Sequence, residues 1–161
     1  MTTNRMIASR VPFGKTAIAA MPIEQRLRLF YLGLAAFMCV GTVAELLLLN
    51  HTDGGVQLIP FVLCGLGFVA ILSVIFKPEQ KTVWAMRFIM IITMIGSLFG
   101  MVEHLQGNLE FARELHASMS EMELFLETIQ GANPLLAPGM LAVGALIALG
   151  ASFYPLPSKS S

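Results

Sequence analysis

Charge is the first scarcity in this chain: only 12% of its 161 residues are Asp, Glu, Lys or Arg, and ten basic residues balance ten acidic ones. With 56% hydrophobic residues and a mean hydropathy of +0.75, that is too little polar surface to cover a soluble core of this size. Cysteine is scarce too. Cys39 and Cys64 both sit in apolar runs without C-x-x-C spacing, which excludes a disulfide framework and a zinc knuckle. The basic residues are not interleaved with stacking aromatics, so a nucleic-acid groove is excluded as well. The motifs of nucleophilic and metal-dependent catalysis are missing: there is no G-x-S-x-G, H-E-x-x-H or P-loop, and no paired Glu-x-x-His of a di-iron bundle. The chain reads as non-catalytic.

What is present is a set of long apolar runs, and about 20 residues of helix cross a bilayer. The runs predict an all-α fold, a bundle of four transmembrane helices with an extra amphipathic helix on the outer face. The spans are expected at residues 30–49, 56–76, 83–102 and 135–154, within one membrane domain over 29–155. Asn50-His51-Thr52-Asp53-Gly54-Gly55 supplies the first reversal, and Lys77-Pro78-Glu79-Gln80-Lys81 ends the second span. Arg87 is near enough to the start of the third span to snorkel into the headgroups. Gly131-Ala132-Asn133-Pro134 breaks the chain before the fourth span, which Pro155 and Pro157 close. Residues 1–28 read as a retained cytoplasmic tail, because the apolar patch from Thr16 to Met21 is too brief for a signal peptide. The same tail, rich in Arg, Ser and Thr and poor in acids, also resembles a mitochondrial presequence.

Basic residues set the expected orientation. Arg5, Arg10, Lys15, Arg26 and Arg28 precede the first span, Lys77, Lys81 and Arg87 lie around the second loop, and Lys159 follows the fourth span, against Arg113 alone on the other side. Both termini, the second including the tail at 156–161, are therefore expected in the cytoplasm. Tyr31, Trp84 and Tyr154 fall at the same ends of their spans, as interfacial aromatics do.

Within lipid, helices associate through close packing and polar contacts. Gly96 and Gly100 form a G-x-x-x-G step in the third span, and Gly144 and Ala148 a similar step in the fourth. These residues make the two helices candidates for an intimate pair. A specific oligomer seam is the functional reading, and ordinary bundle packing the bland one.

The stretch from Met101 to Gln130 holds six of the ten acids and two of the three histidines. A helix over about 108–130 would place Phe111, Leu115, Met119, Met122 and Leu126 on one face, with Ile129, and Glu110, Glu114 and Glu121 on another. The bland reading lays the first set on the outer membrane surface or over the chain's own bundle; the functional reading makes it a docking face for a partner protein. Interfacial helices that bind lipid alone tend to be basic, and this one is acidic. The sharper alternative is a divalent metal or cation site using Glu103, His104, Glu110 and Glu114, with Glu45 from the first span as a further ligand. A second alternative is proton or small-solute transport through Glu45. Met86, Met90 and Met94, with Cys39 and Cys64, offer soft ligands for copper, although methionine also fills gaps in apolar interfaces. A bis-histidine haem needs two histidines at matching depth, and only His104 is near a span, so two subunits would have to supply the pair.

The strings E-H-L-Q-G-N-L-E-F-A-R-E, Glu103 to Glu114, and G-A-N-P-L-L-A-P-G, Gly131 to Gly139, resemble those of uncharacterised bacterial four-span membrane proteins. The resemblance implies a bacterial inner-membrane location and carries no activity; a mitochondrial inner membrane is the minor alternative. The expected role is an accessory, assembly or structural subunit of a larger membrane complex, or a homo-oligomer, with the lipid bilayer and other membrane subunits or further copies as partners. No cofactor is expected outside the metal alternative.

Overall fold

The computed structural model describes residues 21–52, 54–115, 118–133 and 135–157. The expected tail over residues 1–20, His116, Pro134 and Lys159 lie outside them. The described residues form five helices and no strand: α1 Ile23–Leu48, α2 Ile59–Phe76, α3 Gln80–Leu115, α4 Glu121–Gln130 and α5 Leu136–Ala151, with a 3-10 turn at Val56–Leu58 leading into α2. Three segments, Ile23–Leu48, Val56–Phe76 and Gln80–Leu115, are long and apolar enough to cross a membrane, and α5 is a shorter apolar helix.

Each helix end has a local cause. The Pro22 carbonyl, in extended backbone, accepts from the Gln25 and Arg26 amides and opens α1. At the far end Asn50 adopts a left-handed φ of 50°, its N–H donates to Leu47 O and the His51 N–H donates to Leu46 O at 2.9 Å. That pair of bonds is a Schellman closure, which asparagine tolerates without a glycine, and it folds His51 back over the end of α1. Pro60 sits in the first turn of α2, where its missing N–H costs nothing. Pro78 follows α2, and the Thr82 hydroxyl, bonded to Lys77 O and Glu79 O, ties the turn into α3.

The bundle core is built from Leu32 and Ala35 of α1, Cys64 and Ile71 of α2, Met86 and Met90 of α3, and Ala145 and Ala148 of α5. α5 packs mainly against α1 and α3, and α2 packs against the same two helices. The buried face of α5 is almost all Ala and Gly, so backbones approach closely: a Cβ on Gly144 would lie 3.3 Å from Met38 Cβ. On α3, a Cβ on Gly96 would come within 2.7 Å of Leu63 Cδ1, and one on Gly100 within 3.6 Å of Pro138 Cβ. The G-x-x-x-G step therefore packs inside the chain, Gly96 against α2 and Gly100 against α5. Met90 Cε and Cys39 Sγ both reach the space above Gly67 in the buried core, 3.3 and 3.6 Å from where a Cβ would lie. Outside this core, large side chains such as Phe37, Val69, Phe88, Ile95 and Leu146 are exposed around the helices, a belt that water would not tolerate and lipid would cover.

Two sequence expectations change. α3 runs unbroken from the expected third span through Gly107 to Leu115, since one glycine costs only about 1 kcal/mol amid good helix formers. The single outer helix over 108–130 is instead two pieces, the distal end of α3 and the separate α4, because Ser120 and Glu123 form a capping box that starts a new helix. Arg87 does not reach outward: its Nε donates to Ser152 Oγ at 2.8 Å and its guanidinium to Ser152 O at 3.0 Å, between the Trp84 and Phe153 rings. Shifts at the other boundaries are small; α1 begins seven residues before the expected span, at Ile23, and α5 ends at Ala151 in a turn.

Candidate functional site

The two ends of the bundle differ in chemistry. At one end the start of α1, the α2–α3 turn and the end of α5 come together. Arg28 is buried and donates to Pro155 O at 3.3 Å, Tyr31 and Tyr154 stack with centroids 6.2 Å apart, and Arg87 holds the last turn of α5. Guanidinium groups at helix C-terminal carbonyls are well placed against the negative end of the helix dipole. This end is a closed clamp.

The opposite end is open. A cavity of about 410 Å³ lies between α1, the 3-10 turn, α2, α3 and the start of α5. Its wall is mostly apolar, from Leu46, Ile59, Leu63, Phe99 and Leu141, and its polar groups are His51, Gln57, Glu103, His104 and Asn133, with Thr42 and Ser97. The His51 and His104 rings face each other with centroids 6.0 Å apart, tilted by 37°, and both are half-buried. The Schellman turn at Asn50 places His51, and the uninterrupted run of α3 places His104.

The rim of this cavity is fixed by Asn108, which is buried on α3. Its amide donates to Thr128 O at 3.1 Å and Asn133 O at 3.0 Å, and its carbonyl oxygen accepts from the Asn133 N–H at 2.8 Å. One side chain thus joins α3, the end of α4 and the loop into α5. Two glycines permit this: a Cβ on Gly131 would lie 2.5 Å from Asn108 Cγ, and one on Gly107 would lie 2.9 Å from Asn133 Nδ2. About three turns deeper along α3, the Ser97 hydroxyl donates to Pro138 O and ties α3 to the first turn of α5.

The sequence-derived ligand set is only partly assembled. Glu103 and His104 line the cavity, while Glu110 and Glu114 stand on an exposed face of α3 and Glu45 is half-buried on α1. Among the described residues, no three His, Cys, Asp or Glu side chains gather into a group suited to a metal ion. In the sequence pattern His51 is only a turn residue and Asn133 only part of a breaker. The available signal was Asn50 after a leucine run, which marks a helix stop whose next residue turns back on the helix.

Beyond the cavity, α4 packs against distal α3 and buries none of its own residues. Phe111 and Leu115 of α3, and Met122, Phe125, Leu126 and Ile129 of α4, are all at least 45% exposed; Met119, in the connection, is half-buried. The Glu123 carboxylate accepts from the Ser120 N–H at 2.9 Å and the Ser120 hydroxyl at 2.8 Å, and these bonds hold it below the usual carboxylate range. No family model, curated protein or solved structure matches this chain.

Proposed function

We propose that this chain is a four-span membrane protein, with its basic end in the cytoplasm, that serves as an accessory or assembly subunit of a larger membrane complex by docking through the hairpin of distal α3 and α4. The observation that carries this reading is the length of α3 combined with the exposure of α4. Thirty-six helical residues extend about 54 Å, whereas the hydrocarbon of a bilayer is about 30 Å thick. With Trp84 at the inner interface, the hydrocarbon ends near Glu103 and His104, and the last turns of α3 stand outside. α4 returns along them rather than lying flat. Its exposed Met122, Phe125 and Leu126 are then too far from the acyl chains to be covered by lipid, and a protein surface is the natural cover.

α5 supplies the fourth crossing in this reading. Its 16 residues rise about 24 Å, and the turn at Ser152–Tyr154 carries the chain to the level of Arg87 and Tyr31. A tightly packed helix of small residues between α1 and α3 need not meet lipid along its whole length.

Charge selects the class of partner. Between Glu103 and Gln130 there are six carboxylates and one arginine, Arg113, so two copies docking face to face would set like charges together. A different subunit with an apolar patch and a basic rim fits better than a second copy. The test is native mass spectrometry of the chain released gently from its own membrane. The reading expects a hetero-complex that a Leu115→Gln, Phe125→Gln variant loses while keeping its helix content. A wild-type chain that emerges alone would overturn it.

A further inference from the structure

We propose that the cavity beneath His51 and His104 binds an uncharged, lipid-soluble molecule with a compact hydrogen-bonding head, of the chemical class of the lipid quinones. The inference uses the membrane placement given above but not the docking role, and it concerns a different part of the molecule. Three observations carry it.

The cavity is the right kind of space. At about 410 Å³ it falls within the roughly 300–1,000 Å³ typical of small-molecule sites, with a mostly apolar wall and a few polar groups.

The polar lining selects the head. His51 and Asn133 offer N–H donors and acceptors beside the His104 ring, whereas among the described residues no lysine or arginine borders the cavity and Glu103 adds a negative charge. A phosphate or carboxylate head would find no lysine or arginine among the described lining residues and would meet the Glu103 carboxylate. A ring carrying carbonyl or hydroxyl oxygens meets donors without that penalty. The facing imidazoles form the polar end where such a ring would seat.

The mouth selects the tail. Leu49, Val56, Ile59 and Phe99 border the cavity and are also exposed, with Val56 63% and Phe99 52% accessible. An opening framed by bare aliphatic and aromatic side chains beside α2 and α3 gives onto acyl chains, not water. A hydrocarbon tail would leave by that route while the head stays under the histidines.

The test is a titration of the purified full-length chain in detergent micelles with a decyl-tailed dimethoxybenzoquinone, reading the imidazole resonances of His51 and His104 and the heat of binding. Decanol and decanoate serve as matched-tail controls. The expected result is saturable quinone binding that shifts both imidazoles, with decanol and decanoate each at least about tenfold weaker. His51→Phe and His104→Phe, which preserve ring volume, are expected to weaken quinone binding by about tenfold each. Val56→Trp, which crowds the mouth from an already exposed position and so spares the fold, is expected to abolish it. The proposal is overturned if quinone binding does not saturate, if decanol binds as tightly, if decanoate binds more tightly, or if Val56→Trp binds like the wild type.

Discussion

Asn108 and Gly131 touch so closely that the glycine has no room for a side chain: an added Cβ would lie 2.5 Å from Asn108 Cγ and 2.7 Å from its Oδ1. The contact is what lets one buried amide satisfy the end of α4 and the loop that carries Asn133 to the cavity rim. It links the protruding hairpin to the bundle.

Replacing Asn108 with alanine removes three hydrogen bonds and strands the Thr128 carbonyl and both backbone groups of Asn133. At about 1 kcal/mol net per bond, the loss should be roughly 2–4 kcal/mol for this corner. Hydrogen exchange is the direct readout, with faster exchange expected at the Asn133 amide and through the end of α4. Gly131→Ala should act in the same direction by displacing the same side chain. Since both changes break one network, the double variant should cost less than the sum of the singles. Additive losses would show that the two residues act separately.

At the opposite end, Arg87 uses both a hydroxyl and a carbonyl of Ser152 and lies between the Trp84 and Phe153 rings. A planar fork makes those contacts together and an ammonium does not. Arg87→Lys should therefore lose most of what Arg87→Gln loses, about 2 kcal/mol for hydrogen bonds from a charged donor. Limited proteolysis after Phe153 would report it, because release of the last turn of α5 frees the backbone on both sides of that bond. A lysine variant as resistant as the wild type would mean that charge alone holds this end.

The close approach of α3 and α2 at Gly96 gives a packing test. A Cβ there would meet Leu63 Cδ1 at 2.7 Å, and Leu63 is buried, so Gly96→Ala must displace it. A loss of about 1–3 kcal/mol is expected, as for other overpacked cores, with Leu63→Val restoring part of it. Thermal unfolding of both single variants and the double variant in one detergent would measure the rescue.

The apolar runs made the long helices legible, because a stretch that must satisfy its own backbone in lipid has few alternatives to helix. The helix ends were less so. The apolar run of the third span ends near Val102 but its helix does not, because neighbours such as Leu105, Leu109 and Ala112 outweigh the glycine at 107. Ser120 and Glu123 carried a capping signature that marks the start of α4, but the amphipathic pattern ran across it and concealed the break. Site contacts were the least accessible. Asn108 meets Asn133 25 residues away, and His51 meets His104 from a different helix end. Periodicity assigns a residue to a face and says nothing about which distant face it meets.

The capping box also makes the hairpin sensitive to acid in a defined direction. The Ser120 N–H, and then its hydroxyl, stabilise the ionised form of Glu123 and lower its pKa in the folded chain. A group whose folded pKa lies below its unfolded value contributes its full stabilisation above the unfolded value. That contribution declines as pH falls and is gone once the pH drops through the folded value. The start of α4 should therefore stay ordered at neutral pH and fray on acidification, seen as faster amide exchange at Glu123 and Leu124. Ser120→Ala removes the hydroxyl bond and the cap on the Glu123 N–H, so the Glu123 carboxyl should titrate at higher pH and fraying should begin earlier. Carbon-detected NMR titration of the Glu123 side chain in both proteins measures the shift. An unchanged midpoint in Ser120→Ala would place the effect in the backbone bond alone, and a higher midpoint would assign a share to the hydroxyl.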